Sequence, residues 1–199
     1  MSIVKDMSLA ESGRRKIDWV RDFMPALSQI EARFEKEKPF AGLRMAVSVH
    51  LEAKTANLGY VLSKGGAEVY LTGSNPLSTQ DDVAAGLASL GIETFGIYGA
   101  TPEEYESHLI ETLKCHPHIV IDDGGDLIEL LGGKCSEYGD CLLGGCEETT
   151  TGILRLKARE KAAILPYPMM AVNDAKAKHY YDNKYGTGQS AWDGIMHTT

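Results

Sequence analysis

The sequence predicts an α/β domain: a parallel sheet with helices on both faces, preceded by N-terminal helices. Two observations carry that reading. From Leu43 onward, short apolar runs alternate with amphipathic helical stretches, as successive β–α units do. No internal repeat, low-complexity tract or clear linker interrupts the alternation.

The elements follow in order. Ser8 with Glu11 three residues on has the form of a capping box for an opening helix, and Ile17, Val20 and Phe23 recur near helical spacing. Pro25 suits the first turn of a second helix running towards Lys36, and Pro39 ends it. Strand "LRMAVSV" precedes helix "AKTANLGYVLSKGG"; "AEVYLTG" precedes "TQDDVAAGLASLG"; "TFGIYG" precedes "TPEEYESHLIETLKC"; "HIVI" precedes "DLIELLGG". A short strand "CLLGG" then leads into the helical "EETTTGILRLKAREKA". "AAILPYPMMAVND" carries the last strand and "AKAKHYYDNKYG" the next helix. The whole is a three-layer, Rossmann-like arrangement over residues 1–199.

In such sheets ligands sit beyond the carboxyl ends of the strands. Those ends are polar almost throughout: His50, Glu52 and Lys54, then "SNPLSTQD", "DDGGD", "EETTTG" and "VND".

Composition narrows the classes. The 199 residues carry a net charge of −8, with 43% apolar and 24% charged residues, a globular profile. An acidic chain without a basic, aromatic-interleaved stripe is a poor partner for nucleic acid or anionic membrane. No secretory h-region and no long apolar run appear, so the cytoplasm is the expected compartment, with reduced thiols. Cys135-x5-Cys141-x4-Cys146 fits no zinc pattern, and no metal site is expected. Nor is there a Gly-x-Gly-x-x-Gly or a complete P-loop.

Three stretches point to chemistry. "DDGGD" (122–126) crowds three carboxylates after a strand. Crowding raises carboxyl pKa values and suits acid–base work, ribose binding or magnesium; capping of the next helix, with Asp126 at its start, is the alternative. "EETTTG" (147–152) opens a helix with two acids and three threonines, β-branched residues that are poor in a first turn unless their hydroxyls are used. Lys178 and Asp182, four apart, share a helix face, as a solvated ion pair or as a catalytic couple.

Taken together, "RDFMPAL", "HLEAKTA", "NPLSTQDDVAA", "EEY", "DDGGDL", "EETTTG", "VND", "DNKYG" and "DGI" resemble the S-adenosyl-L-homocysteine hydrolase (adenosylhomocysteinase) family over nearly the whole chain. The resemblance implies a reversible thioether hydrolysis with bound NAD: oxidation of the ribose 3′-hydroxyl, loss of homocysteine, addition of water, and reduction. It implies that Lys178 and Asp182 handle the 3′-hydroxyl proton, and that Asp123 and His50 serve proton transfer at the 4′ and 5′ positions. Glu148 would grip the ribose hydroxyls, Asn173 and Asn183 would support that shell, and Thr149, Thr150 and Thr151 would reach the NAD ribose. Thr55 is grouped with the substrate-binding residues, and Asn183 with those near the cofactor. A homo-oligomer acting on a small nucleoside thioether is implied.

Two departures from the family pattern bear on function. The family continues past "DGIMHTT" into an NAD-binding Rossmann domain and a C-terminal tail, so this chain is expected to be the substrate-binding part, inactive alone. Thr187 also stands where the family has a cysteine. At the purine edge, Glu52 and Lys54 replace a threonine and a glutamate or glutamine. An acceptor beside a three-proton donor complements the N1–H and O6 of hypoxanthine, so S-inosyl-L-homocysteine is the alternative substrate. A mismatched buried polar group costs about 1–3 kcal/mol, enough to shift specificity roughly 10-fold or more. A structural or regulatory domain, and a metal-dependent phosphohydrolase using "DDGGD", are the other classes. Retained Lys178, Asp182, Glu148 and His50 speak against the first, and the lack of a phosphate cradle against the second.

Overall fold

The computed structural model describes residues 1–198; Thr199, the last residue of the expected domain, lies outside them. The chain opens with β1 (Ile3–Val4), a 3₁₀ turn (Met7–Leu9), α1 (Ala10–Arg21) and α2 (Pro25–Glu37). The alternating part follows: β2 (Arg44–Ser48), α3 (Ala53–Lys64), β3 (Glu68–Thr72), α4 (Asp81–Ser89), β4 (Glu93–Gly96), α5 (Pro102–Leu113), β5 (Ile119–Asp122) and α6 (Asp126–Leu131). Then come β6 (Gly144–Glu147), α7 (Thr150–Lys161), β7 (Met169–Ala171), a π-helix (Lys178–Gly186) and α8 (Thr187–Thr198). Among the described residues no helix is long and apolar enough to cross a membrane.

Among the described residues seven strands form one sheet in the order β1-β4-β3-β2-β5-β6-β7, and every pairing is parallel. This is the predicted α/β class. Both faces are covered. Along β2, Met45 and Val47 join one apolar cluster with Ile17 of α1 and Val83 and Leu87 of α4. Ala46, between them, joins the opposite cluster with Leu109 of α5, Leu127 of α6 and Ile153 of α7. That is the period-2 alternation of a strand packed on both sides.

The N-terminal helix seats closely on the layer. A Cβ at Gly13 would lie 1.8 Å from the Asp82 carbonyl oxygen, and one at Gly86 would lie 2.8 Å from the Arg14 nitrogen. Glycine at both places lets the α1 and α4 backbones touch.

Several expectations change. The Ser8–Glu11 capping box does not form. Asp6 accepts the Ser8 N–H at 2.8 Å and the chain already turns at Met7–Leu9, so α1 begins at Ala10 with no side-chain cap. The same pattern does close at Thr101–Glu104, where both reciprocal bonds are made and Pro102 occupies the first turn. The short strand is three residues later than "CLLGG" suggests, and Glu147 ends β6 rather than opening α7. With glycine at 144 and 145, side chains carry little strand signal there. β1 was not foreseen: two residues are too few to show periodicity, and they gain strand form by pairing with Phe95 and Gly96.

Candidate functional site

Strand order reverses at β2: the chain runs outward through β3 and β4, then returns to place β5 on the other side. The loops after β2 and β5 therefore diverge and leave a crevice at the carboxyl edge. A cavity of about 690 Å³ opens there, lined by Val49, His50, Glu52, Lys54, Thr55, Ser78, Gln80, Glu148, Thr149, Lys178, Asp182, Asn183 and Thr187. Residues from four separate stretches of sequence converge on it.

His50 follows β2, and Asp123 follows β5. His50 Nε2 is 3.5 Å from Asp123 Oδ2, and His50 Nδ1 is 2.6 Å from Ser78 Oγ. Ser78 Oγ is also within hydrogen-bond distance of the Asn75 carbonyl at 3.0 Å; donating its one proton there, it accepts from Nδ1–H, which leaves Nε2 facing Asp123. Asp123 Oδ2 also accepts from Ser74 Oγ at 2.9 Å. Its side chain is only 8% exposed while that of His50 is 51% exposed: a sheltered acid lies behind an accessible imidazole. In the sequence Ser74 and Ser78 stand out only as part of a polar strand end, the serine-rich "SNPLST".

Glu148 follows β6. Lys178, on the π-helix, reaches its Oε1 at 3.2 Å and donates to Asn173 Oδ1 at 2.8 Å. Thr150 Oγ1 donates to the same Asn173 oxygen at 3.4 Å. Burial raises the Glu148 pKa, the Lys178 ammonium holds it back, and the nearby Asp123 carboxylate pushes it further up.

The ion pair that four-residue spacing suggests between Lys178 and Asp182 is not formed; Lys178 turns across to Glu148 and Asn173. The segment is wound as a π-helix, with the Thr187 N–H bonded back to the Asp182 carbonyl. On an α-helix, at about 100° per residue, Asn183 and Thr187 would point roughly 140° and 180° away from Lys178. The wider π turn brings Lys178, Asp182, Asn183 and Thr187 to the one cavity.

Glu52 is the N-cap of α3, its Oε1 accepting the Thr55 N–H at 3.2 Å. Its other oxygen stays available beside Lys54, which is exposed and makes no ion pair among the described residues. Of the three threonines, Thr149 lines the cavity, Thr150 turns to Asn173 and Thr151 is exposed on α7.

The three "DDGGD" carboxylates are not one cluster. Asp122 is buried and accepts the N–H of Ile128, capping α6; Asp123 faces His50. Asp126 does not cap: it accepts from Tyr105 Oη at 2.9 Å and from Arg155 Nη1 at 2.8 Å. The residue preceding α6 is Gly125, with φ 83°, a conformation that a carboxyl-bearing residue rarely adopts. A second cavity, of about 840 Å³, lies between α5, α6 and α7, where Arg155 pairs with Asp126 and Lys134 with Glu106.

The sequence is similar to that of known proteins. The S-adenosyl-L-homocysteine hydrolase family model matches residues 1–138. The chain is 55% identical to an S-inosyl-L-homocysteine hydrolase of Methanocaldococcus jannaschii, over 98% of this chain and 47% of the relative. It is 50% identical to an adenosylhomocysteinase of Pyrococcus abyssi, over 98% of this chain and 46% of that protein. An adenosylhomocysteinase of Aquifex aeolicus is 51% identical, with 98% and 47% covered. The chain thus spans about half the length of the curated relatives it matches. With the sequence motifs, the parallel sheet and the match over residues 1–138 in agreement, the chain belongs to the S-adenosyl-L-homocysteine hydrolase family.

Proposed function

We propose that this chain is the substrate-binding part of an NAD-dependent thioether hydrolase that reversibly cleaves S-adenosyl-L-homocysteine to adenosine and homocysteine. The observation that carries the reading is the convergence of two proton-handling pairs, His50–Asp123 and Lys178–Glu148, on one cavity at the strand-order reversal. The family membership supports it.

In this reading Glu148 holds the ribose hydroxyls, and Lys178 takes the 3′-hydroxyl proton, steadied by Asn173 and assisted by Asp182 of the same π-helix. Asp123, sheltered from solvent, removes the 4′ proton; His50 delivers a proton at the 5′ position as the thiolate leaves and takes one from the incoming water. NAD, when bound, supplies reversible hydride acceptance at the 3′ carbon. Thr149 and Asn183 border the cavity with side chains that make no hydrogen bond among the described residues, so they fit the hydroxyl-rich ribose of that group. Thr150 turns to Asn173 instead and Thr151 is exposed on α7, so neither borders the cavity. The complete protein acts as a homo-oligomer in the cytoplasm.

A second substrate, S-inosyl-L-homocysteine, is favoured by one feature: Glu52 and Lys54 stand together in the cavity wall with an acceptor and a donor free. Relatives named S-inosyl-L-homocysteine hydrolase, including that of Methanococcus maripaludis at 52% identity, support it. The test compares kcat/KM for both thioethers in the complete protein with NAD bound. An inosyl preference that Lys54→Gln moves towards adenosyl supports purine reading by this pair. Equal rates or an adenosyl preference return the pair to helix capping and solvent, and cleavage of neither overturns the hydrolase reading.

A further inference from the structure

Asp122 and Glu147 end adjacent strands and stand opposite each other in the β5–β6 register. Both are fully buried. Each is followed immediately by a residue of the proposed machinery, Asp123 and Glu148. The Glu147 carboxyl and the Asp122 main-chain carbonyl reach across between the strands, while the Asp122 carboxylate fixes its own loop. Glu147 Oε1 accepts the N–H of Gly124, in the loop after β5, and that of Thr149, in the loop after its own strand, each at 2.9 Å. In return the Asp122 carbonyl accepts the Glu148 N–H at 2.9 Å. The Asp122 carboxylate takes the N–H of Asp123 at 3.1 Å and that of Ile128 at 3.2 Å.

We propose that Asp122 and Glu147 are positioning residues, a buried clamp that holds the loop carrying Asp123 against the loop carrying Glu148. The proton-transferring and ribose-holding carboxylates thereby keep one fixed spacing; what that spacing serves rests on the thioether-hydrolase reading above. Two further observations support the clamp. Helix α7 is shaped around the Glu147 carboxyl: a Cβ at Gly152 would lie 2.1 Å from Glu147 Cδ. Glu147 Oε2 is buried with no partner, a cost that a tie serving stability alone would avoid by using a fully satisfied neutral acceptor. Burial raises both acids, Asp122 to about 8 with Glu147 beside it and Asp126 nearby, so at neutral pH the pair retains a proton and the clamp is not forced apart by two full charges.

The test uses the complete protein with NAD bound and three variants: Glu147→Ala, Glu147→Gln and Gly152→Ala, the last displacing the carboxyl without altering it. Two quantities are read at a temperature where each variant is folded: kcat, and backbone hydrogen exchange in the peptides spanning 122–128 and 147–152. The clamp predicts faster exchange in both loops and a kcat loss of about 100-fold in Glu147→Ala and Gly152→Ala, the scale of a small misplacement of reacting groups. Glu147→Gln, which keeps the acceptor oxygen, should recover most of that rate. Unchanged exchange, a change confined to the 147–152 peptide, or a folded Ala variant with wild-type kcat would overturn the proposal. If the wild type cleaves neither thioether, the substrate reading falls, while exchange in the two loops still decides the clamp.

Discussion

Lys178 makes two contacts, and its loss has two separable consequences. Lys178→Met should lower kcat by about 100-fold or more, the scale of a lost acid–base group, measured in a single turnover. It also removes the cation that holds down the Glu148 carboxyl, so Glu148 stays protonated to higher pH, and the pH at which nucleoside affinity changes should rise, as read by calorimetric titration across pH. A second residue-scale prediction concerns stability. Asp122 titrates at 3.8 when unperturbed and is raised to about 8 in the fold, and Glu147 is raised by burial too. Between those values the folded state binds more protons at this group than the unfolded state, so the stability that Asp122 contributes is fully present below about pH 4 and is lost as pH climbs towards 8. Asp122→Asn should flatten that slope. Thermal unfolding of the complete protein across the window checks it, and a wild-type Tm that rises through the window from this group would contradict the assignment.

At the scale of elements, capping and packing decide which substitutions read cleanly. Glu52 caps α3 through the Thr55 N–H, so Glu52→Ala should cost about 1 kcal/mol in denaturant unfolding whatever it does to purine choice. Exposed Lys54 has no such duty, and Lys54→Gln should change stability by no more than about 0.5 kcal/mol. A specificity change at 54 therefore reports on recognition, whereas one at 52 mixes recognition with a loosened helix. Gly13→Ala, by contrast, drives a methyl into the Asp82 carbonyl and should separate α1 from α4. Overpacking of this kind costs roughly 1–3 kcal/mol, and a Tm equal to wild type would mean that the two helices slide apart freely.

Across the whole molecule, the sheet supplies rigidity and its carboxyl edge carries the candidate site. Leu71, wholly buried in β3, packs in the cluster under α3 and α4. Leu71→Ala should cost about 2–5 kcal/mol by equilibrium unfolding, yet leave nucleoside affinity nearly unchanged in protein that is still folded, since no cavity-lining residue is removed. A matching loss of affinity would show that the edge is not insulated from the core.

The class of fold, the order of its β–α units and the strand ends that form the candidate site are legible in the sequence, because apolar periodicity and polar strand ends are local and survive as pattern. His50, Glu148, Lys178 and Asp182 each sit in a short, distinctive stretch that resembles a family motif, and all four line the one cavity. Partnership was not legible. Four-residue spacing suggested Lys178 with Asp182, but π-helical winding and the approach of β6 gave Lys178 to Glu148. "DDGGD" looked like one cluster, but strand pairing buried Asp122 beside Glu147 and sent Asp123 to His50 and Asp126 to Tyr105 and Arg155. The sequence by itself determined which chemical groups stand at the edge of the sheet. Only the tertiary structure decided which of them touch, because strand register and helix winding bring together residues distant along the chain, and turn neighbours in sequence to different sides of the sheet.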